Sequence, residues 1–168
     1  MYIAILGRQP ILGIAELERV FGSSVIDFFS DQSAIVAVDD FSLNHLGGVL
    51  TAGRIVAELS GDWHRVSQKI VSEYDHAWSH FDGKITLGIS VYGFDIDART
   101  VQGTGIILKQ KLKKSGVSVR LIPNNEPAHN SAVSHHNKLG LSKNKAELSV
   151  VRGRTGKVLT AESTGAQT

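Results

Sequence analysis

Hydrophobic and polar positions follow two different periods in the first forty residues. The apolar run from Tyr2 to Leu6 is short and unbroken, which predicts a β-strand. Between Pro10 and Gly22 apolar residues recur every three or four positions, which predicts a helix that begins at the proline and ends at the glycine. Two β-rich runs, Ser24 to Phe29 and Ala34 to Asp39, then flank turn residues and predict a hairpin.

A further helix and strand are predicted before residue 60. A short helix is expected around Phe41 to Gly47, and a fourth strand around Leu50 to Leu59. The resulting order of strand, helix, strand, strand, helix, strand is that of a split βαβ, ferredoxin-like unit. Turn-forming residues follow at 60–62. We therefore predict a ferredoxin-like N-terminal domain in residues 1–60, with a domain boundary near Gly61.

The remaining residues, 61–168, alternate helical and strand-like patterns. Because the sequence shows no internal repeat, this alternation favours a second α/β unit over a solenoid. The expected elements are a helix from Trp63 to Phe81, a strand from Ile85 to Val91, a helix from about Gly103 to Ser115, a strand from Val117 to Ile122, a helix from Ser131 to Leu139, and a hairpin of Glu147 to Val151 with Lys157 to Glu162. The fold class predicted for the chain is α+β.

Composition narrows the class of protein. With 42% hydrophobic and 20% charged residues among 168, the chain resembles a soluble globular protein. Its apolar stretches are far shorter than the roughly 20 residues that span a bilayer, and its start lacks the basic segment and long apolar run of a signal peptide. We therefore expect no membrane partner and a cytoplasmic location. The chain has no cysteine, which excludes disulfides and thiolate metal ligands.

Charge is distributed unevenly along the chain. The net charge of +2 is by itself too small to indicate a polyanionic partner. From Lys109 onward, however, many basic residues meet only three acidic ones, Glu126, Glu147 and Glu162. The basic residues are Lys109, Lys111, Lys113, Lys114, Arg120, Lys138, Lys143, Lys145, Arg152, Arg154 and Lys157. The C-terminal third is therefore strongly basic.

A lysine-rich helix is the first candidate binding element. In the segment ILKQKLKKSG, Leu108 and Leu112 share the side that faces the core, while Lys109 and Lys113 lie one turn apart on one flank. Lysines so placed could contact phosphates. Lysines near a helix C-terminus also offset the helix dipole, so a structural role is equally open.

Two further elements offer cations. Arg120 lies on a predicted strand, and the predicted hairpin tip carries Arg152, Arg154 and Lys157. Arginine binds phosphate as a fork and lysine binds it as a point charge, and glycines beside Arg154 would let a phosphate approach the backbone. The alternative is a solvated turn whose charges keep the protein soluble.

Other polar residues give weaker signals. Either Asn130 or Ser131 can cap the helix that follows, and capping is favoured over chemistry. His76 and His80 are four residues apart, but no third ligand is nearby, so a metal site is not predicted. GxSxG, Walker and paired-carboxylate motifs do not occur. The sequence therefore predicts no catalytic residue, no metal site and no cofactor site in this chain.

Several segments of the chain resemble one family of proteins, in the family's order. They are the start YIAILGRQPILGIAELERVFG, the strand LGISVYGFD, the passage LKQKLKKSGVSVRLIPNNEPAHNSAVSHHNKLG and the closing LSVVRGRTGKVLTAESTGAQ. Over nearly its whole length the chain resembles the N-terminal half of THUMP-containing RNA methyltransferases, which methylate the exocyclic amine of a guanine in tRNA. Residues Pro123 to Leu139, predicted as loop and helix, favour this guanine-methylating branch. The family's catalytic loop of Asp or Asn, two prolines and an aromatic residue has no match here.

The resemblance implies a division of roles. In the family a ferredoxin-like N-terminal domain precedes a THUMP domain, here residues 61–168, which holds the acceptor 3′ end of tRNA. A Rossmann-like domain that binds S-adenosylmethionine follows. The sequence stops at Thr168, before any such domain, so we expect the cofactor and the methyltransferase activity only in a longer parent protein.

On this view we hypothesise which side chains contact RNA. They are those of the basic elements and of the polar cap, namely Lys109, Lys113, Arg120, Asn130, Ser131, Lys138, Arg152, Arg154 and Lys157. Two alternatives stay open. The chain could be the THUMP module of another tRNA-modifying enzyme, for thiolation or deamination, or it could be a protein-interaction module, since ferredoxin-like folds serve many tasks.

Overall fold

Eight strands form one mixed sheet in the computed structural model, which describes residues 1–167. In chain order the elements are β1 (Tyr2–Leu6), α1 (Pro10–Phe21), β2 (Ile26–Ser30), β3 (Ser33–Val36), β4 (Val49–Leu59), α2 (Trp63–Trp78), β5 (Ile85–Tyr92), α3 (Ala98–Lys114), β6 (Val119–Leu121), α4 (Ser131–His136), β7 (Lys145–Arg152) and β8 (Val158–Ala166). The strands lie in the order β2-β3-β1-β4-β8-β7-β5-β6. Strand β5 is parallel to β6 and β7, and the other pairs are antiparallel. The predicted α+β class is confirmed.

The main core lies between helices α2 and α3 and one face of the sheet. Ile70 of α2 and Leu108 of α3 are buried there against Leu87 and Ile89 of β5. The alternation of apolar and small polar residues along β5 produces this arrangement, because neighbouring side chains of a strand point to opposite faces. A second core packs α1 against β1, β3 and β4. The predicted hairpin of β7 and β8 is also confirmed.

Helix α3 begins at Ala98 rather than at Gly103. Asp97 caps this helix, because its Oδ1 accepts a hydrogen bond from the Thr100 N–H at 2.8 Å. The prediction of a start at Gly103 was wrong because Gly103 and Gly105 lie inside the helix. Gly105 allows close packing there, since a Cβ on it would lie 2.6 Å from Cδ1 of Leu121 on the edge strand β6.

The segment between β3 and β4 is a loop, and the prediction of a helix at Phe41 to Gly47 was wrong. His45 has a φ of 71°, which an α-helix does not allow. The end of this segment also packs closely against α1, because a Cβ on Gly13 would lie only 2.8 Å from the Gly48 carbonyl oxygen. The second helix of the ferredoxin-like order is therefore replaced by a loop in this chain.

Strand β4 links the two predicted domains. It pairs with β8 from Thr51 opposite Ala166 to Leu59 opposite Val158, so residues on both sides of the predicted boundary belong to one sheet. Gly61, with a φ of 108°, turns the chain from β4 into α2. The division near Gly61 stays a prediction, and the shared sheet means that its two sides are joined by backbone hydrogen bonds.

Candidate nucleic-acid interface

Three lysines lie together where α3 ends and β5 begins. Leu108 and Leu112 are completely buried, as the sequence predicted, which directs Lys109 and Lys113 to the exposed side of α3. Lys84, directly before β5, joins them around a shallow cleft of about 420 Å³. Within residues 1–167 none of these three ammonium groups forms an ion pair. This lysine group can therefore bind an anion.

The hairpin tip between β7 and β8 carries a second set of cations, of which two are already engaged. Arg154 donates from Nε and Nη2 to Oδ1 of Asp31, at 3.0 and 2.7 Å, and its guanidinium lies 5.2 Å from the ring centroid of Phe28. Nζ of Lys157 lies 3.4 Å from Oε1 of Glu58. These contacts hold the tip to the β2–β3 turn and to β4, so they compete with any phosphate.

The glycine before Arg154 serves packing. A Cβ on Gly153 would lie 2.8 Å from Cε1 and Cζ of Phe29, and the Arg154 N–H donates to the Phe29 carbonyl oxygen at 3.2 Å. The ring of Phe29 thus occupies space that was predicted to admit a phosphate. This contact could not be predicted from a local pattern because Phe29 is more than a hundred residues away along the chain.

Arg152 has a different environment from Arg154. Its guanidinium lies 5.6 Å from the ring centroid of Phe94, and among the described residues it forms no ion pair. Phe94 lines a cleft of about 400 Å³ together with Asn125, His129 and Asn130. We call this the strand-end cleft, because it lies beyond the carboxyl end of β5, where open α/β sheets commonly bind ligands. The lining of this cleft includes an aromatic ring and amide groups, which suit an unpaired nucleotide, together with the carboxylate of Glu126. Arg152 lies over the ring of Phe94 and does not line the cleft itself.

The predicted cap of α4 is confirmed for one of its two candidates. Oδ1 of Asn130 accepts a hydrogen bond from the Val133 N–H at 2.9 Å. Asn130 is exposed and Ser131 is half-buried, so both can be reached from solvent. Their contact with RNA stays a prediction.

The predicted RNA contacts are spread over distant parts of the sheet. Because β5 and β7 are parallel, with Tyr92 opposite Val151, the hairpin tip lies at the C-terminal end of β5. The lysine group of Lys84, Lys109 and Lys113 lies at its N-terminal end. β5 has eight residues, which places the two groups about 25 Å apart. The structure therefore does not bring the predicted residues together at one small site.

Arg120 and Lys138 lie apart from both groups. Arg120 is exposed on β6 opposite Thr86, one position out of phase with the core residues Ile85 and Leu87. It is therefore on the face of the sheet away from α2 and α3. Lys138 is exposed directly after α4, with a φ of 55°.

A buried polar network fixes α4 to the sheet, and sequence analysis missed it. Glu147 is only 1% exposed, and its carboxylate accepts hydrogen bonds from Oγ of Ser90 at 2.7 Å and from Oγ of Ser134 at 3.0 and 3.1 Å. Oγ of Ser90 in turn accepts from the His129 N–H at 2.9 Å. Burial raises the pKa of Glu147, and the two serine hydrogen bonds oppose that shift. The network connects β5, β7, α4 and one wall of the strand-end cleft.

His129 is buried in the same region, and burial lowers its pKa. Among residues 1–167 its Nε2 has no hydrogen-bond partner. A Cβ on Gly88 would lie 3.2 Å from Cδ2 of His129, so the imidazole rests on that glycine. Burial limits the access of a base to His129, whereas Phe94, which the sequence did not single out, is half-buried and also lines the cleft.

The described residues show neither a metal cluster nor a membrane span. Within residues 1–167 no three His, Asp or Glu side chains come together in a way that could hold a metal ion. No helix in the same range combines the length and the apolar character needed to cross a bilayer.

Comparison with known proteins yields structural likeness alone. No family model matches the chain, and no curated protein matches it significantly. Among solved structures it is similar to TrmN from Thermus thermophilus, with 11% identity and a TM-score of 0.53 over 99% of this chain and 46% of that one. PH1313 from Pyrococcus horikoshii shares 12% identity and a TM-score of 0.48 over 96% of this chain and 53% of its own. A 4-thiouridine synthetase solved with RNA and ATP shares 12% identity and a TM-score of 0.47 over 96% of this chain and 40% of its own.

The likeness to TrmN defines the fold. It extends over almost every residue of this chain at 11% identity and shows that the two chains share a fold. The chain spans about half the length of the structures it matches.

Proposed function

We propose that this chain is the tRNA-binding part of an S-adenosylmethionine-dependent RNA guanine-N2 methyltransferase. One observation carries the proposal, namely the charge of the surface formed by residues 109–167. Of the three acids in this range, Glu147 is buried and Glu162 accepts a hydrogen bond from the Tyr74 hydroxyl at 2.9 Å, which leaves Glu126 as the exposed one. Two cations of this range pair with carboxylates from elsewhere in the chain, Arg154 with Asp31 and Lys157 with Glu58. The other cations of the range form no ion pair among the described residues, and a surface of that kind attracts a phosphate backbone.

The fold agrees with this proposal. The resemblance to THUMP-containing enzymes assigns the second part of the chain to the acceptor 3′ end of tRNA, and the fold expected from that resemblance is present. On this proposal the Rossmann-like domain, its S-adenosylmethionine and the catalytic loop belong to the rest of the parent protein. The role of this chain is to hold the RNA so that the catalytic domain reaches its target base.

The two separated cationic groups would bind different parts of the RNA. Lys84, Lys109 and Lys113 form a site for backbone phosphates, since the shallow cleft that they line offers three ammonium groups and no aromatic side chain on which a base could stack. The strand-end cleft offers the ring of Phe94 and the amide of Asn125 to an unpaired nucleotide of the acceptor end, and Arg152, beside Phe94 but outside the lining of the cleft, would meet an adjoining phosphate.

Charge reversal tests the role of the lysine group. A variant with Lys109→Glu and Lys113→Glu should bind tRNA about tenfold or more weakly, because each lost phosphate contact removes part of the counterion-release term. The matched control is Arg19→Glu with Lys69→Glu, exposed positions on α1 and α2 that change the net charge equally. Fluorescence anisotropy with labelled tRNA measures both. Equal losses would mean general attraction to a basic protein and would contradict a defined interface.

The hairpin tip provides the second test. Arg152→Ala should weaken tRNA binding more than Arg154→Ala, because Arg154 is held by Asp31 whereas Arg152 forms no ion pair among the described residues. If neither variant changes tRNA affinity, the tip does not contact RNA, and a protein-interaction module becomes the better account of this surface.

A further inference from the structure

A polar cleft of about 800 Å³ lies between the β3–β4 loop and the segment after α4. Its basic lining residues are His45 from the loop, His135 from α4 and Lys138 from the segment that follows. None of the lining residues is an aspartate or a glutamate. The cleft is separate from both the lysine group and the strand-end cleft, and its electrostatic character favours an anion.

Both walls of this cleft are fixed in place. On the loop side, the Gln167 side-chain amide donates to the carbonyl oxygens of Leu43, at 3.0 Å, and of Leu46. On the other side, the Ser134 hydroxyl of α4 donates a hydrogen bond to the carboxylate of the buried Glu147. Because hydrogen bonds hold residues of both walls, a ligand would have less of the cleft to order on binding.

Two residues of the cleft have unusual backbone conformations. Within residues 1–167, His45 and Lys138 are the non-glycine residues with positive φ, at 71° and 55°, and both line this cleft. Lys138 occupies the position after a helix where glycine is usual, since the following Leu139 N–H closes back onto the Ser134 carbonyl oxygen at 3.0 Å. Strained positions of this kind concentrate at functional sites. Here they present a lysine and a histidine to the same space.

The cleft also offers apolar surface. Leu141 is 64% exposed and lines it, and Leu43 of the loop is half-buried there. An apolar patch beside a cationic one matches a nucleotide, whose base is flat and weakly polar and whose phosphate is charged. The volume is in the usual range for such a ligand.

We propose that this cleft binds a nucleoside phosphate, with the phosphate on Lys138, His45 and His135 and the base against Leu43 and Leu141. A free mononucleotide and an unpaired nucleotide of an RNA strand carry the same groups, so the site does not depend on the tRNA proposal. Exposed lysines elsewhere, such as Lys143, do not line this cleft.

The test uses the whole chain and two probes, AMP and a short single-stranded RNA, with adenosine as the uncharged comparison. Lys138→Asn removes the charge and keeps a residue that tolerates positive φ, so the fold should persist. The control is Lys143→Asn, an equal change of charge outside the cleft. Calorimetric titration should show that AMP binds better than adenosine and that Lys138→Asn weakens AMP about tenfold, while the control does not.

The two probes identify the source of the nucleotide. Binding of AMP that depends on Lys138 assigns the cleft to free mononucleotides. Binding of the RNA alone, again dependent on Lys138, assigns it to an RNA strand. The proposal is overturned if neither probe binds, if adenosine binds as well as AMP, or if Lys138→Asn and Lys143→Asn have equal effects. Because the tRNA proposal is tested at Lys109, Lys113 and Arg152, its failure would be seen separately.

Discussion

Arg154 and Asp31 are 123 positions apart in the sequence and are joined by two hydrogen bonds to one carboxylate oxygen, at 3.0 and 2.7 Å. The pair connects the β7–β8 hairpin tip to the turn between β2 and β3. An arginine that the sequence assigns to RNA therefore has a partner within the fold. An RNA phosphate at this position would have to replace that carboxylate.

The stability contributed by this pair should be small. Both side chains are well exposed, at 63% and 85%, so solvent screens their attraction. We expect Arg154→Ala and Asp31→Ala each to lower the free energy of unfolding by about 1 kcal/mol or less. Urea denaturation of the two single variants and of the double variant measures the coupling. A coupling of several kcal/mol would show that the pair is a main support of the hairpin.

Loss of the Ser90 hydroxyl should be more costly. Ser90→Ala leaves Oε2 of Glu147 with one donor fewer and the His129 N–H without its acceptor, in a region closed to solvent. We expect a loss of about 1–3 kcal/mol of unfolding free energy. The control is Ser118→Ala, at an exposed serine, which should change the same quantity little. Similar values for both variants would mean that the network does not support α4.

The pH dependence of stability should report on Glu147. Its pKa is raised above the ordinary value of 4.5, so the folded state holds the proton more tightly than the unfolded chain does. The stability from this proton is complete below pH 4.5 and is lost as the pH rises through the raised pKa. The variant Glu147→Gln cannot ionise, so its stability relative to the wild type should increase with pH across that range. Thermal melts of both proteins at several pH values measure this difference, and a constant difference would refute the assignment.

Two glycines of α3 should respond in opposite ways to the same substitution. Gly103 has open space around its Cβ position, so Gly103→Ala should stabilise the protein by about 0.5–1 kcal/mol through helix propensity alone. At Gly105 a Cβ would lie 2.6 Å from Leu121, so Gly105→Ala must displace that side chain and should lose this gain or reverse it. Chemical denaturation measures both. An unchanged stability for Gly103→Ala would argue that the helix does not extend back to Ala98.

Local patterns predicted much of the fold. The apolar spacing of α1 and α2, the alternation along β5 and the hairpin of β7 and β8 depend on nearby residues, and the structure has them within a few positions. The start of α3 was misplaced because Gly103 and Gly105 lie inside the helix, which begins after the Asp97 cap. The helix expected at Phe41 to Gly47 does not form. Gly48 lies in close contact with Gly13 of α1, and a local sequence pattern does not show such a contact.

The candidate site was less predictable for a related reason. Sequence could place Lys109 and Lys113 on one flank of a helix, since four residues separate them. Sequence could not show that Lys84 lies beside them, because Lys84 is 25 residues before Lys109 and only the packing of α3 on the sheet places the two together. Nor could it show that Arg154 faces Asp31 whereas Arg152 lies over Phe94. Those contacts join residues that are distant along the chain, so no local pattern indicates them.

The measurement that tests the central claim most directly is a titration of this chain with tRNA that has an intact acceptor 3′ end and with the same tRNA trimmed of that end. Fluorescence anisotropy at two salt concentrations gives the affinities. We predict tighter binding to the intact tRNA, with log affinity falling by about 0.7 for each phosphate contacted per unit of log salt concentration. Equal affinity for both tRNAs, or no binding at low salt, would contradict the claim that this chain holds the acceptor end.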